Sequence, residues 1–207
     1  MPTITAVQWI TDDAFAGNVA LALPAPPTPG NLLVYAHGER VAGGSLVAGF
    51  TSVDPGSSPL TVAYKVSDGT EQNISVGTNA FEHKSALYVE FAVSGGVWIE
   101  VEGFTSASNT GTTITAPGYS PGTYPMLVVQ AVGLDSNSAG DLDFTSYADL
   151  DGALNRTTGL IGWAVVESPD TQPTVGVAWT NNRTALAFAV GLSVVPAGGW
   201  HVGAVAF

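Results

Sequence analysis

Few residues in this chain combine types and spacing that could do chemistry. Glu100 and Glu102 stand two apart in the stretch "GVWIEVEG". On a strand with unbroken alternation they would share one face, about 6.6 Å apart, a separation that a glycosidase acid/base pair could use. Trp98 falls on the same face, and an exposed indole beside carboxylates suits either a sugar ring or another protein subunit. No second acidic strand can be identified opposite them. A solvated strand face is therefore the preferred reading, since carboxylates sit mostly outside. Trp98, Glu100 and Glu102 stay as ligand-binding candidates, and no catalytic residue is assigned.

Metal ligands are no better placed. "LDSNSAGDLDFTSYADLDG" is rich in oxygen donors: Asp135, Asn137, Asp141, Asp143, Asp149 and Asp151. Its opening resembles the start of a calcium loop, but Ala139 occupies the fifth position and Ser146 stands where the closing glutamate belongs. Asp135, Asn137, Asp141 and Asp143 are the calcium candidates, against a solvated acidic loop as the preferred reading. His37 with Glu39, and Glu82 with His83, each offer half of a zinc site, which needs three or four converging ligands. No Gly-x-Ser-x-Gly elbow occurs, and no Gly-rich phosphate loop leads into a helix. No cofactor and no enzymatic activity are expected.

The elements that must position these residues are strands. The chain has 207 residues, 45% hydrophobic and only 11% charged, with 25 glycines and 13 prolines. That composition, with abundant Thr and Ser, predicts an all-β protein of many short strands. The formal net charge is −12, and the cations Arg40, Lys65, Lys84, Arg156 and Arg183 are scattered. Nothing resembles a basic patch, so neither nucleic acid nor an anionic membrane surface is an expected partner. Cysteine is absent, which leaves thiol chemistry and disulfides out. The beginning of the sequence has no cationic run before an apolar core, so no Sec-type signal is expected. The longest apolar run, 185–195, is too short for a membrane helix.

Alternation with period two dominates. In "SALYVEFAV", Leu87, Val89, Phe91 and Val93 share one face and Ala86, Tyr88, Glu90 and Ala92 the other. "TALAFAVGLSVV" alternates Leu186, Phe188, Val190, Leu192 and Val194 with small residues, which suggests close approach of another layer or another chain. "PLTVAYKVSDG" sets Leu60, Val62, Tyr64 and Val66 against Thr61, Ala63, Lys65 and Ser67. Trp163 and Trp179 fall in phase with core positions.

A second pattern is repetition. "GNVALALPAPPTPGNLLVYAHGE", from Gly17, has a counterpart in "GTTITAPGYSPGTYPMLVVQAVGLD", from Gly111. Both read as strand, proline-studded bend, Pro-Gly, then apolar strand. "GFTSV" at 49–53 then matches "DFTSY" at 143–147, "AYKVSDGTEQ" matches "GWAVVESPDTQ", and "SALYVEFAV" matches "TALAFAVGL". The expectation is a jelly-roll-like β-sandwich with an internal pseudo-duplication of about 95 residues. It spans residues 1–195, with pseudo-repeats 17–93 and 111–192, and residues 196–207 form a last strand or an arm. Each proline bend would carry the chain from one sheet to the next, with φ fixed by the rings.

Three stretches carry a family likeness: "PTPGNLLVYA", "AYKVSDGTE" and "ALAFAVGL". In them the chain resembles β-sandwich virion proteins of bacteriophages, of the minor tail and capsid decoration type. The resemblance covers most of residues 17–195, and Phe50 in "AGFTSV" stands where such proteins often have Trp. It implies a structural role in the virion, assembled in the host cytoplasm, first as a minor tail protein and alternatively as a capsid decoration protein. Partners would be other virion proteins and copies of itself, as a homo-oligomer. A carbohydrate-binding module for host adsorption, with a cell-surface glycan as partner, is the rival from another class.

Overall fold

The computed structural model describes residues 3–14, 17–39, 46–53, 60–77, 84–94, 98–116, 126–134, 151–156, 159–166 and 175–195. All regular structure among them is β. The strands are β1 (Thr3–Ala14), β2 (Val19–Ala22), β3 (Leu32–Glu39), β4 (Thr51–Ser52), β5 (Leu60–Val66) and β6 (Asn73–Val76), followed by β7 (Lys84–Ser94) and β8 (Trp98–Ala116). The last four are β9 (Met126–Leu134), β10 (Asp151–Arg156), β11 (Gly159–Val166) and β12 (Val175–Val195). Every pairing is antiparallel. The first sheet has the order β1-β7-β3-β5-β4, the second β10-β11-β9-β12-β8, and β2 and β6 form a separate two-stranded ribbon. The terminal segment 196–207 lies outside the described residues.

The first sheet is covered on both faces, and its sequence is built for that. Along β3, Leu32, Val34 and Ala36 enter one core while Leu33 and Tyr35 enter another. Along β7 the split is Leu87, Val89 and Phe91 against Ala86 and Tyr88, the two faces that alternation assigns. The outer core is closed by Val19, Leu21, Ile74 and Val76 of the ribbon and by Phe50. Phe50 packs edge-on against Tyr35 and Tyr88, with ring centroids 5.0 and 6.2 Å away. The inner core is closed by Leu127 and Trp163 from the second sheet. Trp163 meets Trp9 and Phe91 edge-on at 5.6 and 5.7 Å, a geometry that places ring edges against π faces.

A β-bulge decides what β1 contributes. Ala6 pairs with Phe91 and Gln8 with Glu90, which leaves Val7 as the extra residue. A bulge shifts alternation by one residue. Ile4 and Ala6 therefore belong to the inner core, whereas Ile10 packs against the outer one and Trp9 reaches Trp163.

Strand order repeats between the two sheets. Reading β8, β12, β9, β11 and β10 for β1, β7, β3, β5 and β4 turns the first order into the second. The bulge recurs too: Leu192 pairs with Val101 and Gly191 with Gly103, which leaves Glu102 in the place of Val7. Across the inner core β3 lies against β9, β7 against β11 and β1 against β10.

Trp163 ties the sheets together, so truncation there tests whether they unfold as one unit. Trp163→Ala is expected to cost about 3–5 kcal/mol, with urea unfolding monitored by far-UV circular dichroism and by tryptophan fluorescence giving coincident transitions at a lower midpoint.

Candidate functional site

The most developed polar cluster gathers around the proline bend that leads into β3. Pro24, Pro26, Pro27 and Pro29 fix φ and remove backbone donors. The bend closes with a turn in which Asn31 N donates to Thr28 O at 3.1 Å. Pro29 is its second residue and Gly30, at φ 89°, its third, the pattern of a type II turn. Gly30 N then donates to Ser67 O and Ser67 N to Asn31 O, at 2.9 and 2.8 Å. At the other end, Leu23 N donates to Gln72 O at 2.9 Å, and Gln72 Nε2 donates to Leu23 O at 3.1 Å.

Two side chains of the first sheet hold this bend down. Glu90, buried in the middle of β7, accepts from Thr28 N at 2.8 Å and Asn31 Nδ2 at 2.6 Å through Oε1. Its Oε2 accepts from Gln8 Nε2 at 2.6 Å. Gln8 also reads the bend directly, donating to Ala25 O at 3.0 Å and accepting from Ala25 N at 2.9 Å. The bulge at Val7 makes this possible, because it puts Gln8 beside Glu90 on the outer face. Burial pushes the Glu90 carboxyl up, but the donors from Gln8, Thr28 and Asn31 outweigh it, so the group sits below the ordinary carboxylate value.

A second cluster adjoins the first through the turn after β5. Glu71 accepts from Ser67 Oγ at 3.0 Å and Asp68 N at 3.1 Å, and pairs with Lys65. Lys65 also pairs with Asp68 at 3.0 Å. Asp68 Oδ1 accepts from Thr70 N at 3.1 Å and Thr70 Oγ1 at 2.5 Å. The Thr70 hydroxyl and then Lys65 bring Asp68 down to about 2. For Glu71 burial acts upward, and Lys65 with the Asp68 amide reverses it. Tyr88 OH donates to Glu71 O at 2.6 Å, and burial raises its own phenol above the usual range. Gly69, at φ 95°, has a Cβ position only 3.1 Å from Pro29 Cγ, so the turn lies directly on the bend.

Both carboxylates are held ionised by fixed donors and sit among backbone that they order. They have no proton to give at neutral pH, and general acid chemistry needs one. The arrangement is suited to holding two loops in one shape.

The residues singled out from sequence fall elsewhere. Trp98, Glu100 and Glu102 all lie on β8, where Trp98 pairs with Val195 and Glu100 with Ser193. Glu102 takes the bulge, so the unbroken alternation behind a shared Glu100–Glu102 face is interrupted at that residue. Asp135, Asn137, Asp141 and Asp143, and likewise Glu82 and His83, lie outside the described residues. Among the described residues no three His, Asp or Glu side chains gather to hold a metal. His37 is buried and stacks on Tyr35 at 6.0 Å. Gln8 and Glu90 were not singled out as site residues, although one signal was legible: a charged residue alone in the centre of an apolar strand. Its partner was hidden by the bulge. Compared with known proteins, the chain matches no family model, no curated protein and no solved structure.

Removing the carboxylate should release the bend. Glu90→Ala is expected to lose about 3 kcal/mol, since three donors are left facing an apolar methyl. The pH dependence has a definite sign. With folded values below the unfolded 4.5 of Glu71 and Glu90, their contribution is present above about pH 4.5 and is lost as pH falls through the folded values. Denaturant titrations from pH 7 to 2.5 should show Glu90→Gln destabilised at pH 7 and converging on the wild type in acid. A parallel loss at all pH values would contradict this account.

Gly69→Ala tests the contact between turn and bend. A side chain at positive φ costs about 1–2 kcal/mol, and the crowding against Pro29 adds to it. Chemical denaturation should show that loss, while Gly30→Ala, which meets nothing within 4 Å, shows the backbone cost alone.

Proposed function

We propose that this chain is a structural subunit of a bacteriophage particle, a minor tail protein, that works by packing against copies of itself and other virion proteins. The observation that carries the non-catalytic part is the use made of its buried carboxylates: Glu90 and Glu71 are bound by loop donors and hold loops. The virion setting is supported by the three family-like stretches. Two of them build this framework, "PTPGNLLVYA" as bend and β3, "AYKVSDGTE" as β5 and its turn, and the third lies within β12.

We also infer that the chain is a single β-sandwich made of two fused repeats. Support comes from the matching strand orders and from bulges at Val7 and Glu102 in equivalent places. A jelly roll sends successive strands to alternating sheets; here β8 to β12 stay in one sheet, which favours fused repeats. The equivalent strands β3 and β9 lie across from each other, as a self-complementary two-fold contact requires. The first proline bend leads from the ribbon to the first sheet; the second, 117–125, lies outside the described residues.

The test is made on purified particles of the phage that encodes the chain. Mass spectrometry is expected to find it, and gold-labelled antibody to mark the tail end. Label over the head would replace the tail position with capsid decoration. Absence of the chain from the particles would remove the virion reading and leave the glycan-binding rival, to be tried on cell-wall polysaccharide.

A further inference from the structure

The bend of residues 24–31 is fastened to the first sheet by polar groups more than by packing. Of its eight residues Pro27 alone is buried, and neither hydrophobic core includes any of them. Four are prolines, which leaves the amides of Ala25, Thr28, Gly30 and Asn31, and each meets an acceptor. Ala25 N donates to Gln8 Oε1 and Thr28 N to Glu90 Oε1. Gly30 N donates to Ser67 O, and Asn31 N to Thr28 O inside the bend. A segment with so few buried apolar contacts opens locally at less cost than the whole fold.

Its attachments fall into three places. At one end Leu23 and Gln72 exchange two hydrogen bonds, and at the other Ser67 bonds Gly30 and Asn31. In the middle the bonds lead to one carboxylate. Glu90 accepts from Thr28 N, Asn31 Nδ2 and Gln8 Nε2, and the same Gln8 nitrogen holds Ala25 O. A protonated Glu90 places an O–H among three N–H donors that all point at its oxygens. Donor then faces donor, and the middle of the bend loses what fastens it.

The groups around Glu90 leave that proton to it. Gln8 on β1, Leu33 on β3, and Thr28 and Asn31 of the bend are uncharged. Tyr88, close by on β7, has its phenol raised by burial and then by Glu71 and Glu90, so it stays neutral. Lys65 stands beyond Leu33 in the same row and is engaged by Glu71 and Asp68. Glu71 in turn receives the Ser67 hydroxyl, at an end of the bend whose backbone bonds need no carboxylate. We propose that Glu90 is the catch of an acid-released strap: when it takes up a proton, residues 25–28 lift off the first sheet while both ends and both cores stay in place. Burial raises the carboxyl, and the donors from Gln8, Thr28 and Asn31 bring it below its ordinary value. The strap is therefore closed at neutral pH and opens as pH falls below 4.5.

The full-length chain has no cysteine, so a nitroxide label on one introduced cysteine reports on one place. Ala25→Cys puts it at an exposed point of the bend, and Ala20→Cys, exposed on β2, is the control. Between pH 7 and pH 3 the spectrum at position 25 should turn from immobile to mobile. The spectrum at position 20 and the far-UV circular dichroism should stay as they are. At pH 7, Glu90→Gln should raise the mobile fraction at position 25 about tenfold, because its amide sets donors against the same three donors. Release at both positions together with loss of circular dichroism means that acid unfolds the chain as a whole and overturns the strap. A label at position 25 that stays immobile in Glu90→Gln, with the fold intact, overturns it as well. Should Ala25→Cys fail to fold, amide exchange in the unlabelled chain decides the question. Thr28 exchanging faster than Leu33 by a factor that grows toward acid supports the strap, and equal protection of the two overturns it.

Discussion

A carboxylate in the middle of a strand that is buried on both faces must be given donors, and much of the first half is arranged to give them. Glu90 sits in β7, between Val89 and Phe91 of the inner core and beside Tyr88 of the outer one. Left alone it would cost several kcal/mol or take up a proton. Backbone donors of the sheet are already committed to the ladder, so its partners have to come from a loop and from a side chain. The bend at residues 24–31 supplies the loop, and the bulge at Val7 supplies Gln8. The prolines make the bend a good partner, because a stiff loop loses less conformational entropy when it is fixed in place.

The bulge has a second consequence at the sheet edge. β1 is an outermost strand of the first sheet, with a row of backbone groups that could template pairing with another chain. A bulge twists such an edge, and charges on it discourage partners. β1 has both, the bulge at Val7 and the exposed pair Asp12 and Asp13. β8, the corresponding edge of the second sheet, has its bulge at Glu102. One local irregularity thus serves the interior, by re-aiming side chains, and the exterior, by spoiling an edge.

How much of this could be read from the residues follows from the range of each interaction. Alternation is local, and it assigned both faces of β7 correctly, from Leu87 to Phe91. Low charge with many Gly, Pro and Thr gave the all-β class. Turn chemistry is nearly as local, and Pro29-Gly30 and Asp68-Gly69 both mark turns. The bulge was not legible, because it depends on which residue of β7 each residue of β1 meets, 70 to 91 positions away. Without it, Gln8 belongs to the same face as Ile4, and the pairing with Glu90 cannot be guessed. The same blindness affected Glu100 and Glu102, whose proposed common face assumed a strand without irregularity.

One difference between the two sheets lies at the bulge. Where the first half has Gln8 opposite Glu90, the second has Gly103 opposite Gly191. The position that demands a stapled loop in one half carries no side chain in the other. The ribbon keeps its rungs: counted from the bulges, Ile114–Val177 and Ala116–Val175 stand where Val19–Val76 and Leu21–Ile74 stand in the first half. In the first sheet the Gln8–Glu90 pair lies on the side turned away from the inner core. In the first half that side is closed by the chain's own bend, turn and ribbon, held by Glu90 and Glu71.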